Sequence, residues 1–105
     1  MESANYIYSI LKSQLNILWS WGFNSPMPLN NGLQFMVEGF IHKGYVSIIY
    51  NEGRDLFDIT LLNYQMTIVK KIDGVHLDEL IDTIDNEVEK VNNYENRVKQ
   101  EYSLL

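Results

Sequence analysis

The fold of this chain is decided by four short apolar runs in its middle, LQFMVEGFI (33–41), YVSIIY (45–50), DLFDITLL (55–62) and MTIVKKI (66–72). The runs are rich in β-branched and aromatic residues, which favour strands. Turn-forming segments separate them at Lys43-Gly44, at 51–54 and at 63–65. Because such short connections join neighbouring antiparallel strands, the sequence predicts a four-stranded antiparallel meander.

An amphipathic helix is predicted before the strands. Its apolar residues recur at spacings of three and four: Ile7, Ile10, Leu11, Leu15, Leu18 and Trp19. Ser3 or Asn5 is suited to cap the first amides, and Gly22 follows the last periodic residues, where a left-handed cap favours glycine. We predict one helix at about 5–20.

A loop is predicted at 23–32, because this segment contains both prolines and several Asn and Ser residues. It is unusually apolar for a loop, since Trp21, Phe23, Met27 and Leu29 lie in it or beside it. We expect it either to fold back over the core or to form an adhesive surface.

A second amphipathic helix is predicted after the strands. Its apolar residues again have helical spacing: Leu77, Leu80, Ile81, Ile84, Val88 and Val91. Asp78 and Glu79 lie where carboxylates stabilise a helix N-terminus. The pattern continues, so the helix is predicted to run to about residue 102 and to overhang the sheet. The predicted fold class is α+β, an α-β-β-β-β-α chain in two layers with both helices on one face of the sheet.

Strand periodicity divides the sheet residues between two faces. The face toward the helices is expected to carry Phe35, Val37, Val46, Ile48, Phe57, Ile59, Met66 and Ile68. The opposite face then carries Met36, Phe40, Tyr45, Ile49, Leu56, Leu62 and Val69 among polar residues. That face is too apolar to be fully solvated, so we expect it to form a protein interface, most simply in a symmetric homodimer. Coverage by the proline-containing loop is the alternative.

The C-terminal helix offers a second association surface. Apolar residues recur every seven positions at Leu77, Ile84, Val91, Val98 and Leu105, with Tyr102 on the flank. This spacing favours pairing of helices. The candidate interface residues from both surfaces are Met36, Phe40, Tyr45, Ile49, Leu62, Val69, Val98 and Tyr102.

Charge gives a second hypothesis about function. The net charge is −6, and residues 73–89 contain seven carboxylates but no lysine or arginine. Such a surface repels phosphate backbones, so direct binding to nucleic acid is not expected. The candidate acidic surface, Asp78, Glu79, Asp82 and Asp85, could instead occupy the basic site of a nucleic-acid-binding protein as a decoy.

Length and composition indicate the number of domains and the cellular location of the protein. The 105 residues fit a single domain spanning 1–105. The sequence has no cysteine, no basic-then-apolar signal pattern at its start and no apolar run long enough to cross a bilayer. A cytoplasmic protein without membrane association is therefore expected.

No residue pattern points to catalysis. His42 is expected in a hairpin turn and His76 at a helix start, and neither is assigned a catalytic or ligand role. No glycine-rich phosphate loop or nucleophile-elbow motif is present. We therefore predict no catalytic residue, no metal and no cofactor, and the acidic helix residues are expected to form a solvated face.

The leading interpretation is a non-enzymatic protein-interaction module whose partner is a protein, most simply a second copy of itself. The alternative from another class is a small enzyme or ligand-binding domain. Its candidate pocket would lie under the 19–29 loop and be walled by Trp19, Trp21 and Phe23.

Overall fold

A computed structural model describes residues 2–89 of the chain. Its elements in chain order are α1 Glu2–Lys12, α2 Leu15–Ser20, β1 Asn24–Leu29, β2 Gly32–Glu38, β3 Lys43–Asn51, β4 Leu56–Leu62, β5 Ile68–Val75, a 3-10 turn Leu77–Glu79 and α3 Leu80–Val88. An N-terminal helical segment, an antiparallel sheet and a C-terminal helix confirm the predicted α+β class.

The N-terminal helical segment is broken at Ser13 and Gln14, so the prediction of one helix at 5–20 was wrong. The Ser13 hydroxyl donates to the Ile10 carbonyl at 2.6 Å, and the amides of Ser13 and Gln14 bond three residues back instead of four. Gln14 then leaves the helical region, with φ −130° and ψ 61°. Serine competes with the helical backbone through such local bonds, which favours a break at this position.

Gly22 ends α2 in the way that the sequence predicts. It adopts φ +67°, which glycine tolerates without strain. The amide of Phe23 donates to the Leu18 carbonyl, and the amide of Gly22 donates to the Trp19 carbonyl. This pair of bonds is a Schellman cap, and it turns the chain sharply from α2 into β1.

The sheet has five strands, because the segment predicted as a loop at 23–32 contains β1. The strand pairs antiparallel with β2, with Met27 opposite Gln34 and Leu29 opposite Gly32. Both prolines lie in this strand. Proline is compatible with an extended edge strand, where its missing amide costs no ladder hydrogen bond.

The remaining strands follow the predicted meander, and the sheet order is β1-β2-β3-β4-β5. The β4–β5 connection is longer than predicted, since the Asn63 side chain accepts the amides of Gln65 and Thr67. This turn keeps Met66 out of the strand at φ +64°, and β5 begins only at Ile68.

One core lies between the helices and one face of the sheet. It contains Ala4, Ile7, Leu11, Leu18, Trp21, Leu33, Phe35, Val37, Val46, Ile48, Phe57, Ile59, Leu61, Val75, Leu80, Ile84 and Val88. Each large side chain in such a core contributes about 1.5–3 kcal/mol by its burial. Six of the eight residues predicted to face the helices are buried here. Met66 and Ile68 are not, being 48% and 55% exposed, because the turn and a register shift at Leu61–Leu62 displace them.

The C-terminal helix begins with a 3-10 turn and packs through Leu80, Ile84 and Val88, as its periodicity predicts. Its end is held by the β2–β3 turn, where the amides of Ile41 and His42 both donate to the Val88 carbonyl. The predicted continuation to residue 102, including Val91 and the rest of the seven-residue pattern, lies outside the described residues.

Candidate functional site

The face of the sheet turned away from the helices, called here the open face, has no described helix packed on it. The strand register places on it Met27, Leu29, Gln34, Met36, Glu38, Lys43, Tyr45, Ser47, Ile49, Asn51, Leu56, Asp58, Thr60, Leu62, Ile68 and Lys71. None of these side chains belongs to the core. The open face is built by five strands, so its shape is set by the backbone ladder and not by loops.

Apolar side chains lie in a row across the three central strands of the open face. Met36 is directly opposite Tyr45, and Tyr45 is directly opposite Leu62. All three are half-buried, although no described helix covers them. Directly opposed apolar pairs stabilise a sheet by about 0.2–1 kcal/mol each, and they leave a continuous apolar strip on its surface.

A polar row and a second apolar group complete the open face. Gln34, Ser47 and Thr60 lie opposite one another in successive strands. Next to this polar row, Ile49 of β3 lies opposite Gly32 of β2. Leu29 of β1 lies opposite the same glycine from the neighbouring strand on the other side. The open face therefore combines apolar strips with uncharged hydrogen-bonding groups.

Charges on the open face nearly balance. Glu38 lies opposite Lys43 at one end of the hairpin. Asp58 accepts the Gly74 amide at 3.0 Å, and Lys71 lies opposite Thr60 near the β5 edge. Two carboxylates and two amines on this face contrast with the net charge of −6 for the whole chain.

The structure brings together four of the candidate interface residues, Met36, Tyr45, Ile49 and Leu62, on the open face. Phe40 is elsewhere, in the β2–β3 turn with 54% of its surface exposed, and Val69 is on β5 with 59% exposed. Val98 and Tyr102 lie outside the described residues.

Sequence reasoning missed the contribution of β1 to this surface. Met27 is half exposed, and Leu29 is half-buried beside it. Their spacing of two residues in an otherwise polar segment is the signal that could have identified a strand. The two prolines outweighed it.

The candidate acidic surface is divided between two roles. Asp78, Glu79 and Asp82 are exposed on the 3-10 turn and the start of α3. Asp85 instead accepts the Trp21 indole N–H at 2.8 Å and anchors α3 to the end of α2. Three of the four residues thus remain available on a solvated surface.

The three aromatic residues of the candidate pocket point in different directions. Trp21 is fully buried and stacks on Phe35, whereas Trp19 is 74% exposed. Phe23 packs against Phe35 with ring centroids 4.6 Å apart and stacks on Tyr8 at 6.0 Å. These side chains are therefore divided between the core and the outer surface.

One shallow hollow of about 230 Å³ lies at the end of α3, lined by Glu38, Gly39, Phe40, Lys43 and Glu89. The Glu89 carboxylate is only 8% exposed and accepts the Phe40 amide at 3.1 Å. Burial, and to a lesser degree Asp85, raises the pKa of Glu89 above its usual value of 4.5, while the bond from Phe40 partly opposes that rise.

A second hollow, also of about 230 Å³, lies beside the start of α1 and is lined by Ser3, Tyr6, Tyr50 and Glu52. The Tyr50 hydroxyl donates to Asp55 at 2.6 Å. This bond, with a smaller effect of burial, raises the pKa of Tyr50 to about 12. Tyr6 and Tyr50 meet edge to face at 5.6 Å, so their rings pack on one another.

The histidines and acidic residues do not converge. Within 2–89, no group of three or more histidine, aspartate or glutamate side chains is placed to hold a metal ion. His42 is buried with its Nε2 3.2 Å from the Tyr45 carbonyl, and His76 is exposed before the 3-10 turn.

Comparison of the chain with protein-family models, with curated proteins and with solved structures found no match. In the part of the chain that the structure describes, no helix has both the length and the apolar character needed to cross a membrane.

Proposed function

We propose that this protein is a protein-interaction module that forms a symmetric homodimer through the open face of its sheet. One observation carries the proposal: the apolar row Met36, Tyr45 and Leu62 crosses the three central strands without any described element packed on it. A self-complementary sheet face of this kind is a common solution for a twofold dimer.

The size of the open face suits a small dimer interface. Five strands spaced by about 4.8 Å, each about seven residues long at roughly 3.3 Å per residue, give a footprint of about 550 Å². Side-chain relief makes the accessible area larger than this footprint. A standard interface buries about 800 Å² per partner, so nearly the whole face would take part.

The charge distribution favours a second copy as the occupant. The chain carries a net charge of −6, and two copies repel one another wherever their acidic surfaces approach. The open face has balanced charges, including Glu38 opposite Lys43. A dimer formed through this face keeps the exposed carboxylates of Asp78 and Asp82 on its outer surfaces.

The centre of the face is polar, small and uncharged. Ser47 is the middle residue of β3, which is the middle strand, and its neighbours across the sheet are Gln34 and Thr60. Around a twofold axis these groups can hydrogen-bond with their copies while the apolar rows pack beside them.

Light scattering coupled to size exclusion tests the proposal over a range of protein concentrations. The native chain is expected to be a dimer, and Ser47→Arg is expected to weaken the dimer by at least about a hundredfold, because it places two unpaired charges in the interface. Ser47 lies outside the core, so the variant should keep its circular dichroism spectrum.

Asn16→Arg is the matched control, since it adds the same charge at an exposed position of α2. This variant should remain dimeric. A native chain that is monomeric at every concentration, or a Ser47→Arg variant that dimerises like the native chain, would overturn the proposal.

A further inference from the structure

The two edges of the sheet differ chemically. β1, at one edge, contains Pro26 and Pro28, which have no backbone amide to offer to another strand. β5, at the other edge, contains no proline, and most of its residues are exposed, with Ile68 and Val69 at 55% and 59%. The β5 edge therefore keeps all of its backbone amides for a further strand, although its own pairing with β4 is regular only over residues 70–72.

The β5 edge is also the most basic segment of an acidic chain. Lys70 and Lys71 are the only adjacent basic residues in the sequence. Lys70 is 52% exposed and binds Glu87 of α3 at 2.9 Å, and Lys71 is exposed. The edge therefore presents apolar side chains followed by two amines, in a chain whose net charge is −6.

These lysines argue against a second β5 strand as the occupant. Two copies could pair their β5 strands antiparallel and form one continuous sheet with all helices on the same side. The twofold axis of such a pair passes beside one residue of β5, and this residue lies opposite the same residue of the other copy. Centring the pair on Lys70 or Lys71 places that lysine opposite the same lysine of the other copy, which destabilises the pair. Moving the centre toward the end of the strand brings in the register shift next to Gly74, whose φ is +72°.

We propose that the β5 edge binds an extended, acidic segment of another protein as a sixth strand of the sheet. Backbone hydrogen bonds along β5 would supply the affinity, as in other cases of strand addition. Carboxylates of the partner would lie near Lys70 and Lys71, and β-branched side chains would pack beside Ile68 and Val69. Strand addition uses the backbone of this edge, whereas the proposed dimer uses the side chains of the open face. The two surfaces meet where Ile68 lies opposite Leu62.

The test uses the full chain and, as a probe, an octapeptide of alternating valine and glutamate with blocked ends. Amide hydrogen exchange is followed by NMR. Addition of this peptide is expected to slow exchange of alternate amides in β5, and the affinity should fall with rising salt. A peptide with lysine in place of glutamate should bind at least about tenfold more weakly.

Two controls distinguish strand addition from attraction of charge alone. An otherwise identical peptide with alternate backbone amides methylated should not protect β5, since it cannot complete the ladder. The double variant Lys70→Gln and Lys71→Gln should keep its sheet but bind the glutamate peptide at least about fivefold more weakly.

Failure of the glutamate peptide to protect β5, or equal binding of the lysine peptide, would overturn the proposal. It would also be overturned if the outward-facing amides of β5, which do not bond to β4, were already protected in the free protein. If this protection did not depend on protein concentration, residues 90–105 of the same chain would be the segment that covers the edge. If it increased with protein concentration, a second copy of the chain would cover it.

Discussion

The indole N–H of Trp21 donates a hydrogen bond of 2.8 Å to Oδ1 of Asp85, and this bond joins the end of the N-terminal helical segment to the C-terminal helix across 64 positions of sequence. Trp21 is fully buried, so its N–H loses its partner inside the protein when the carboxylate is removed. A buried donor left without a partner costs about 1–3 kcal/mol.

Asp85→Ala is therefore expected to lower the free energy of unfolding by about 1–3 kcal/mol. Asp82→Ala is the matched control, because Asp82 is exposed one turn earlier on the same helix. Urea denaturation followed by tryptophan fluorescence measures both. Equal stability of the two variants would mean that the bond to Trp21 contributes nothing.

Gly39→Ala is expected to destabilise the protein by about 1–3 kcal/mol, because a side-chain carbon at this position would overlap the Val88 carbonyl oxygen. The same carbonyl accepts the amides of Ile41 and His42, so the overlap disrupts the hold of the turn on α3. Thermal unfolding checks the effect.

Gly53→Ala serves as its control, since the nearest atom to an added carbon there is the Asn51 side-chain oxygen at 3.6 Å. This variant is expected to have nearly native stability. A loss of stability as large as that of Gly39→Ala would show that contact with Val88 is not the cause.

Glu89→Gln is expected to stabilise the protein at neutral pH. Because burial raises the pKa of Glu89 in the folded state, the folded chain binds this proton more tightly than the unfolded chain does. Stability therefore falls as the pH rises from the ordinary value of 4.5 through the raised folded value. Glutamine carries no charge and can still accept the Phe40 amide.

Urea midpoints measured from below pH 4.5 to pH 7 test this expectation. The native chain and the variant should be similar at the acidic end, and the variant should be more stable at pH 7. Glu52→Gln, at an exposed position in the β3–β4 turn, serves as the control. A native chain that is more stable than Glu89→Gln at pH 7 would contradict the pKa direction.

Tyr50 should titrate at about pH 12, because its hydroxyl donates to Asp55 and this bond raises its pKa to about 12. Asp55→Asn should move this titration toward the ordinary value of 10. NMR of the tyrosine ring carbons as a function of pH separates Tyr50 from its neighbours. If the pKa of Tyr50 were the same in the Asp55→Asn variant, Asp55 would be ruled out as the cause of the raised value.

Much of the sheet could be predicted from local periodicity. The alternation of Phe57, Ile59 and Leu61 with Asp58 and Thr60 identifies β4 and assigns its two faces, because successive side chains of a strand point in opposite directions. The apolar residues of α3 recur at helical spacing, and this spacing predicts both the helix and the face that it buries.

The first strand could not be predicted in this way, because proline has a different effect in different tertiary positions. Pro26 and Pro28 would break a central strand, but they are tolerated at an edge. Whether a segment lies at an edge depends on the pairing of the whole sheet. The extent of the open face was underestimated for the same reason, since Met27 and Leu29 were placed in a loop.

Tertiary structure also decides that one of the two tryptophans is buried and the other is exposed. Trp19 and Trp21 occupy the same aromatic stretch, and the sequence groups them as walls of one pocket. The break at Gln14 and the left-handed cap at Gly22 orient α2 so that Trp21 enters the core while Trp19 remains 74% exposed.

The sequence by itself determined the α+β class, the antiparallel order of four strands, the buried face of the sheet and the net charge, because all of these follow from composition and from the spacing of neighbouring residues. The tertiary structure alone decided which strands form the edges, that Asp85 is bound to Trp21 while Asp82 remains exposed, and that the apolar row from Met36 to Leu62 has no described helix on it. Periodicity records which side chains share a face, but whether a face is covered depends on contacts between segments far apart in the chain.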